Sequence, residues 1–256
     1  MPSGPAPPLA RPMKRILQAA LGKFGLRLSR VANAPKDGLT CFFEAIQRAG
    51  FAPRHIVDVG ANHGVWTRAA IRFFPKAQYT LVEPQDHLKV HIEDLIAHEY
   101  KIRWVNAAAG DKPGILPFTI ASRDHSSTLA LREEESQALG ARQIPMQVTT
   151  LNQLAASSTA PPPDLVKIDA ERYDLKVLAG ASDLMGKTDI FLAEAMVCGP
   201  YENPVLDVVQ YMASVGYRLI DITSLERSPK HGVLWLCELA FLRKGSPLLD
   251  KATSFE

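Results

Sequence analysis

Cysteine is scarce in this chain. The three present, Cys41, Cys198 and Cys237, lie far apart and form no C-x-x-C pair. That excludes a disulfide framework or a zinc ribbon and suits buried thiols in a reducing, cytoplasmic setting. Excess charge is also missing. Against 29 Lys and Arg stand 27 Asp and Glu, a net charge of +2, too little to argue for a nucleic-acid partner. No apolar run reaches the length of a membrane span. What remains is ordinary globular material, 46% hydrophobic over 256 residues. That is enough for one α/β domain with an appendage.

The most informative stretch is HIVDVGANHG at 55–64. Ile56, Val57 and Val59 make a short apolar run suited to a strand buried on both faces. Gly60 and Gly64 bracket a tight turn, and Val65, Trp66, Ala69, Ala70 and Phe73 then recur at helical spacing until Pro75. A second strand, 79–82, ends in Glu83. An acid at the second strand tip, roughly 20 residues after a glycine turn, is how nucleotide-binding sheets hold ribose hydroxyls. A dinucleotide site also wants a middle glycine, and here that position is Asn62, which disfavours a nicotinamide dehydrogenase. The helix amino terminus still attracts an anion such as a carboxylate, and Asp58 is placed to pair with an ammonium. Carboxylate, ammonium and ribose together describe S-adenosylmethionine.

Residues 1–12 are proline-rich and read as a disordered tail. Residues 13–50 read as a helical arm. Leu17, Leu21, Phe24, Leu28 and Val31 form one stripe, and basic residues lie mostly off it, with no acid before Asp37. Such a helix packs on its own domain or on a second copy, or lies peripherally on an anionic membrane. A second helix is expected over 38–49.

The domain proper is expected over 51–256. A helix near 86–99 should bury Leu88, Ile92, Leu95 and Ile96. His87 and His91, one turn apart on it, read as a solvated face rather than a metal pair. A third strand at 102–105 ends at Asn106, where an adenine would lie, beside the small residues Ala107, Ala108 and Ala109. Strands follow near 115–121 and 146–149. Between them 122–145 reads as a surface excursion carrying His125 and a short charged helix. Strands at 165–169 and 190–193 place Asp169 and Glu194 at the ligand-binding edge, with a helix over 173–186 between them. A helix at 204–215 and a strand pair at 217–221 and 234–242 close the chain, with His231 in a loop over 223–232.

Taken together, IVDVGANHG at 56–64, LVEP at 81–84, NAAAGD at 106–111 and LVKIDAERYDLKVLAGA at 165–181, with the ending GYRLIDI and LAFLRKGSPL, resemble the FkbM family of methyltransferases. The likeness covers about 55–248. It implies a Rossmann-like class I methyltransferase fold: a mainly parallel seven-stranded sheet, helices on both faces, and a last antiparallel strand. It implies S-adenosylmethionine as methyl donor and O-methylation of a sugar, glycan or polyketide-like natural-product hydroxyl. The implied cofactor surface is Asp58, Gly60, Ala61, Asn62, His63, Gly64, Glu83, Pro84, Asn106, Ala107 and Asp169. The family's Lys-Ile-Asp motif falls on Lys167, Ile168 and Asp169. One departure stands out: Arg172 occupies a position where the family carries glycine. That implies a loop reshaped around an unusual, anionic acceptor, or loss of the standard activity.

Methyl transfer to an alcohol needs alignment and a proton acceptor. Asp169 is the first candidate base, with Glu194, His125 and His231 as alternatives. Asp169 and Glu194 together would suit Mg²⁺, a cation that prefers oxygen ligands. Glu171, Arg172 and Tyr201 are expected to meet the acceptor, although Glu171 could equally cap the following helix. A nucleic-acid base methyltransferase would carry an Asn/Asp-Pro-Pro-aromatic run after the fourth core strand, and IDAERY does not match. The remaining alternatives are a small-molecule N-methyltransferase and a protein that binds the cofactor without standard transfer.

Overall fold

In the computed structural model, residues 36–98, 100–121, 126–198 and 204–253 are described. The tail at 1–12, the basic stripe at 13–31, His125 and Tyr201 lie outside the described residues. In chain order the strands are β1 (His55–Val59), β2 (Gln78–Val82), β3 (Ile102–Val105), β4 (Ala108–Ala109), β5 (Gly114–Ile120), β6 (Arg142–Thr149), β7 (Leu165–Ile168), β8 (Ile190–Met196), β9 (Tyr217–Arg227) and β10 (Leu234–Arg243). The α-helices are α1 (Gly38–Arg48), α2 (Val65–Phe73), α3 (Glu93–Ala97), α4 (Glu133–Ala138), α5 (Leu151–Ala156), α6 (Asp174–Ala179), α7 (Val205–Ser214) and α8 (Pro247–Thr253).

All five residues of β1 are buried, as its apolar run requires of a central strand. It pairs in parallel with β2 on one side and β7 on the other. The full seven-stranded sheet has the order β3-β2-β1-β7-β8-β10-β9. Six strands run in one direction, and β10 enters antiparallel between β8 and β9. The strand order therefore reverses between β1 and β7. Open α/β sheets bind their ligands at the carboxyl ends of the strands flanking such a reversal.

Strand alternation divides the core in two. Ile56, Leu165, Ile190, Leu192 and Ala240 face one layer with α1 and α2. Val57, Val59, Val166, Ile168, Phe191 and Leu239 face the other with α6 and α7. Helix α1, grouped above with the amino-terminal arm, belongs by packing to the sheet domain, whose compact unit runs from Asp37. Asp37 caps it by accepting the Thr40 N–H at 2.7 Å. Phe42, Phe43 and Ile46 are buried, and the Phe43 ring lies 5.5–5.6 Å from those of Trp66, Phe73 and Phe74.

Several elements differ from expectation for definable reasons. The helix expected at 86–99 is a 3₁₀ turn, Asp86–Ile92, followed by α3. The change of pitch rotates Ile96 off the buried face, where it is 41% exposed, while Leu88, Ile92 and Leu95 stay buried. The helix expected at 173–186 breaks after α6, at Gly180. A Cβ there would stand 2.1 Å from the Gly110 carbonyl oxygen, so the two backbones touch and only glycine fits. The end of the excursion, from Arg142, belongs to β6, the middle strand of a second, three-stranded sheet, β4-β6-β5. The start of β6 ahead of the expected 146 is hidden by Pro145, which argues against a strand and here faces Pro117 of β5. The loop expected at 223–232 is strand as far as Arg227, with bulges in its pairing to β10.

Truncating Phe43 tests the role of α1. Phe43→Ala should cost about 3–5 kcal/mol, read as a lowered midpoint in urea unfolding. A neutral result would mean α1 is dispensable to the sheet.

Candidate active site

The site begins with one cross-strand pair. Asp58 on β1 faces Lys167 on β7 in register. Both side chains lie on the same sheet face, and both are nearly fully buried. The Lys167 ammonium stands 3.2 Å from Asp58 Oδ1 and 3.3 Å from Asp169 Oδ2. It also donates to the Val59 and Gly60 carbonyls at 3.4 and 3.2 Å. Thr67 of α2 donates its hydroxyl to Asp58 Oδ2 at 2.5 Å. These acids hold the ammonium protonated well above the ordinary lysine range, against the opposing effect of burial. Asp58, expected to meet a cofactor ammonium, therefore meets Lys167 instead, beneath the turn.

Above this pair the glycine turn is fixed by its own backbone. Gly60 has φ +71°, and a Cβ there would stand 1.9 Å from the Asp169 carbonyl oxygen. Gly64 has φ +72°, and its Cβ would meet Ile92 at 2.6 Å. Asn62 is also left-handed, at φ 46°, and its side chain accepts the His63 N–H. Asn tolerates that region better than most residues. Glu83 is buried at the tip of β2 and accepts the N–H groups of Asn62 and Gln85, each at 2.9 Å. Burial pushes its carboxyl upward, and those two bonds oppose the shift. A carboxylate has about four lone-pair sites, so room remains on Glu83 for ligand hydroxyls.

Gly60, Asn62, Glu83, Pro84, Asp169 and Glu171 line one cleft of about 580 Å³, open to solvent. Ala107, Ala108 and Ala109 line one side, joined by Phe118 of β5, by Ser127 and Leu129 of the segment after it, and by Tyr173. Asn106 does not line it. Its amide donates to the Glu83 and Pro84 carbonyls and so holds the β2 tip in place. Ala61 is buried within the turn. The His63 ring stacks on His91 at 4.2 Å between centroids.

The remaining candidates separate. Glu194 sits on β8 opposite Glu238 of β10, outside the cleft lining. Burial and the charges of Asp169, Asp174 and Glu171 push its carboxyl strongly upward. Glu238, which accepts the Thr223 hydroxyl, was not a sequence candidate. Its only signal is an acid inside the apolar run LWLCELAFL. His231 lies exposed in the turn between β9 and β10, its N–H donating to Ser228. Among the described residues no group of three or more His, Cys, Asp or Glu is arranged to hold a metal. The cation that Asp169 meets is Lys167. Glu171 does not cap α6. The Asp174 carboxylate accepts the Ala170 N–H there instead.

Arg172 has φ 75°, next to Glu171 at φ 48°. The glycine expected at 172 answers a backbone need, and its replacement is a conformational cost more than a spatial one. The arginine charge acts on Glu171, where it weakly opposes the upward push of burial, and on Glu135 of α4, so it already faces acids.

The FkbM methyltransferase domain model matches residues 58–219. No curated protein matches. Among solved structures the chain is similar to cofactor-bound Rv0187 from MTB (13% identity, 91% of each chain, TM-score 0.49). It is also similar to precorrin-6y C5,15-methyltransferase from Geobacter metallireducens (10% identity, 85% of this chain and 93% of that one, TM-score 0.46). A third is 1,6-didemethyltoxoflavin-N1-methyltransferase from Burkholderia thailandensis (11% identity, 93% of each chain, TM-score 0.44).

Two predictions follow from this geometry. Arg172→Gly should stabilise the fold by roughly 0.5–1 kcal/mol, because about 1–2 kcal/mol of left-handed strain outweighs about 0.5–1 kcal/mol of glycine chain entropy. A raised urea midpoint would show it, and a lowered one would mean Arg172 makes contacts worth more than its strain. Second, Glu171 is raised to about 8, and Asp174 and Glu238 to about 7, mainly by burial. Carboxyls raised on folding stabilise below their unfolded pKa and lose that contribution as pH climbs through the folded one. Urea unfolding of the ligand-free protein should therefore show stability falling between about pH 5 and pH 8. A flat profile would contradict the burial of these acids. The matched segment, the reversed strand order and the cleft at its carboxyl edge lead to one conclusion: the chain belongs to the FkbM methyltransferase domain family, whose members are S-adenosylmethionine-dependent.

Proposed function

We propose that this protein transfers the methyl group of S-adenosylmethionine to a hydroxyl of a sugar, glycan or polyketide-like natural product. The observation that carries the reading is the make-up of the cleft lining. Glu83, with lone pairs to spare, lines it together with Ala107, Ala108 and Ala109, and Asp169 and Glu171 line the same cleft. Glu83 would hold the ribose hydroxyls, Ala107–Ala109 the adenine face, and the turn at Gly60–Asn62 the amino-acid portion. The cofactor supplies a methyl group already activated by a sulfonium charge. The chain then has to orient the acceptor oxygen, exclude water and take up its proton, and an acid in the lining suits the last task. Lys167 keeps Asp169 and the Gly60 carbonyl in fixed relation while this happens. A second reading, transfer to an amine, is favoured by the surplus of acids around Lys167, which suits a cationic acceptor. Parallel assays on hydroxyl and amino forms of one sugar would separate the two.

Calorimetric titration of S-adenosylmethionine tests the cofactor assignment. The wild-type protein should bind in the micromolar range. Glu83→Ala should weaken binding about tenfold or more, since a hydrogen bond to a charged group contributes about 1.5–3 kcal/mol. Absence of binding by well-folded wild-type protein would overturn the reading.

A further inference from the structure

We propose that Glu171 is the catalytic base that receives the acceptor's proton, and that Thr128, bridged to β5 of the second sheet, is the positioning residue that aims it. This rests on the methyl-transfer reading above. Elimination by geometry comes first. Asp169 lies 3.3 Å from the Lys167 ammonium, and a carboxylate paired with a buried cation is a poor proton acceptor. Glu194 stands outside the cleft lining, and His231 lies out in a hairpin turn. Glu171 lines the cleft, and no hydrogen bond to its carboxylate is made among the described residues.

The placement of Glu171 is built rather than incidental. Thr128 is buried, and its hydroxyl donates to the Glu171 carbonyl at 2.6 Å. The same hydroxyl accepts the Ala130 N–H at 2.9 Å. Backbone bonds between Thr119 and Thr128 tie the segment to β5, and Ser127 beside it donates to Gln85 at 3.3 Å. The second sheet thus grips the loop after β7 through one side chain, at the residue where the backbone turns left-handed. Without that anchor the two left-handed residues have an easier conformation available.

The proton balance is simple. The acceptor O–H proton moves to the Glu171 carboxylate as the acceptor oxygen bonds to the methyl carbon. The electron pair of the breaking carbon–sulfur bond stays on sulfur, leaving a neutral thioether and a protonated Glu171. The groups facing Glu171 are Lys167 and Asp169 from β7, Arg172 beside it, Asp174 at the start of α6 and Glu194 on β8. Their balance, dominated by burial, raises Glu171 to about 8, so at pH 7 the empty cleft keeps it protonated. A sulfonium cation in the cleft favours the carboxylate. The base would then be unmasked only when the methyl donor is in place.

The test needs no acceptor. S-adenosylmethionine is titrated calorimetrically at pH 7 in two buffers of different ionisation enthalpy, which counts the protons released on binding. Wild-type protein should release most of one proton, and S-adenosylhomocysteine, lacking the charge, should release less. Glu171→Gln should abolish most of the release while still binding. Thr128→Val should reduce it, and Thr128→Ser should restore it. Release undiminished in a binding-competent Glu171→Gln would overturn the assignment of the base while leaving the cofactor reading intact. Release unchanged in Thr128→Val would overturn the positioning role. Failure of wild-type protein to bind would overturn both this inference and the function it rests on.

Discussion

The Lys167 ammonium is the point on which the site's geometry depends. It is buried between the two central strands, where burying each ion costs several kcal/mol. That cost is met because every partner is close: two carboxylates and two backbone carbonyls within 3.4 Å. The carbonyls belong to the end of β1 and the start of the glycine turn, and Asp169 belongs to the tip of β7. One cation therefore locks together the two strand ends across the reversal of the sheet, where the cleft opens. Asp58, at its back, is held in turn by Thr67 of α2, which carries the constraint into the helix that follows the turn.

Around that fixed point the chain is shaped by close backbone approaches. Gly60 lies against the Asp169 carbonyl and Gly180 against that of Gly110. Side chains of any size at these two positions would separate the glycine turn from β7, and α6 from the second sheet. The second sheet supplies one wall of the cleft and, through Thr128, grips the loop that carries Glu171 and Arg172. It acts as part of the active-site frame even though it shares no ladder with the main sheet.

The electrostatics have a consistent direction. Asp58, Asp169, Glu171, Asp174, Glu194 and Glu238 surround a single lysine, with Arg172 at the loop. Burial and mutual repulsion push several of these carboxyls toward their neutral forms. Such a surrounding is strained when empty and welcomes a positive ligand, which is the charge the proposed methyl donor brings. The arginine that replaces the family glycine adds a positive charge at the rim, but it faces Glu135 and Glu171.

How much of this was legible follows from the range of each interaction. The strand–turn–helix at 55–73 and the acid at the β2 tip are local patterns, set by periodicity and glycine placement, and the Lys-Ile-Asp motif is read by its resemblance to the family; these were written in the chain, and with them the fold class. The direction in which Asp58 points was not legible. Its partner is 109 residues away, and only parallel pairing of β1 with β7 puts Lys167 opposite it. Glu238 and Thr128 were hidden for the same reason, one inside an apolar strand and the other in a surface excursion whose partner, the Glu171 carbonyl, is 43 residues away. The left-handed turn at Arg172 was visible only as a missing glycine, and the structure supplied its cause. Local chemistry told what kind of molecule this sheet binds. Which carboxylates are already committed to a lysine, and which one faces the cleft, was decided by tertiary packing, because long-range register determines which charges become neighbours.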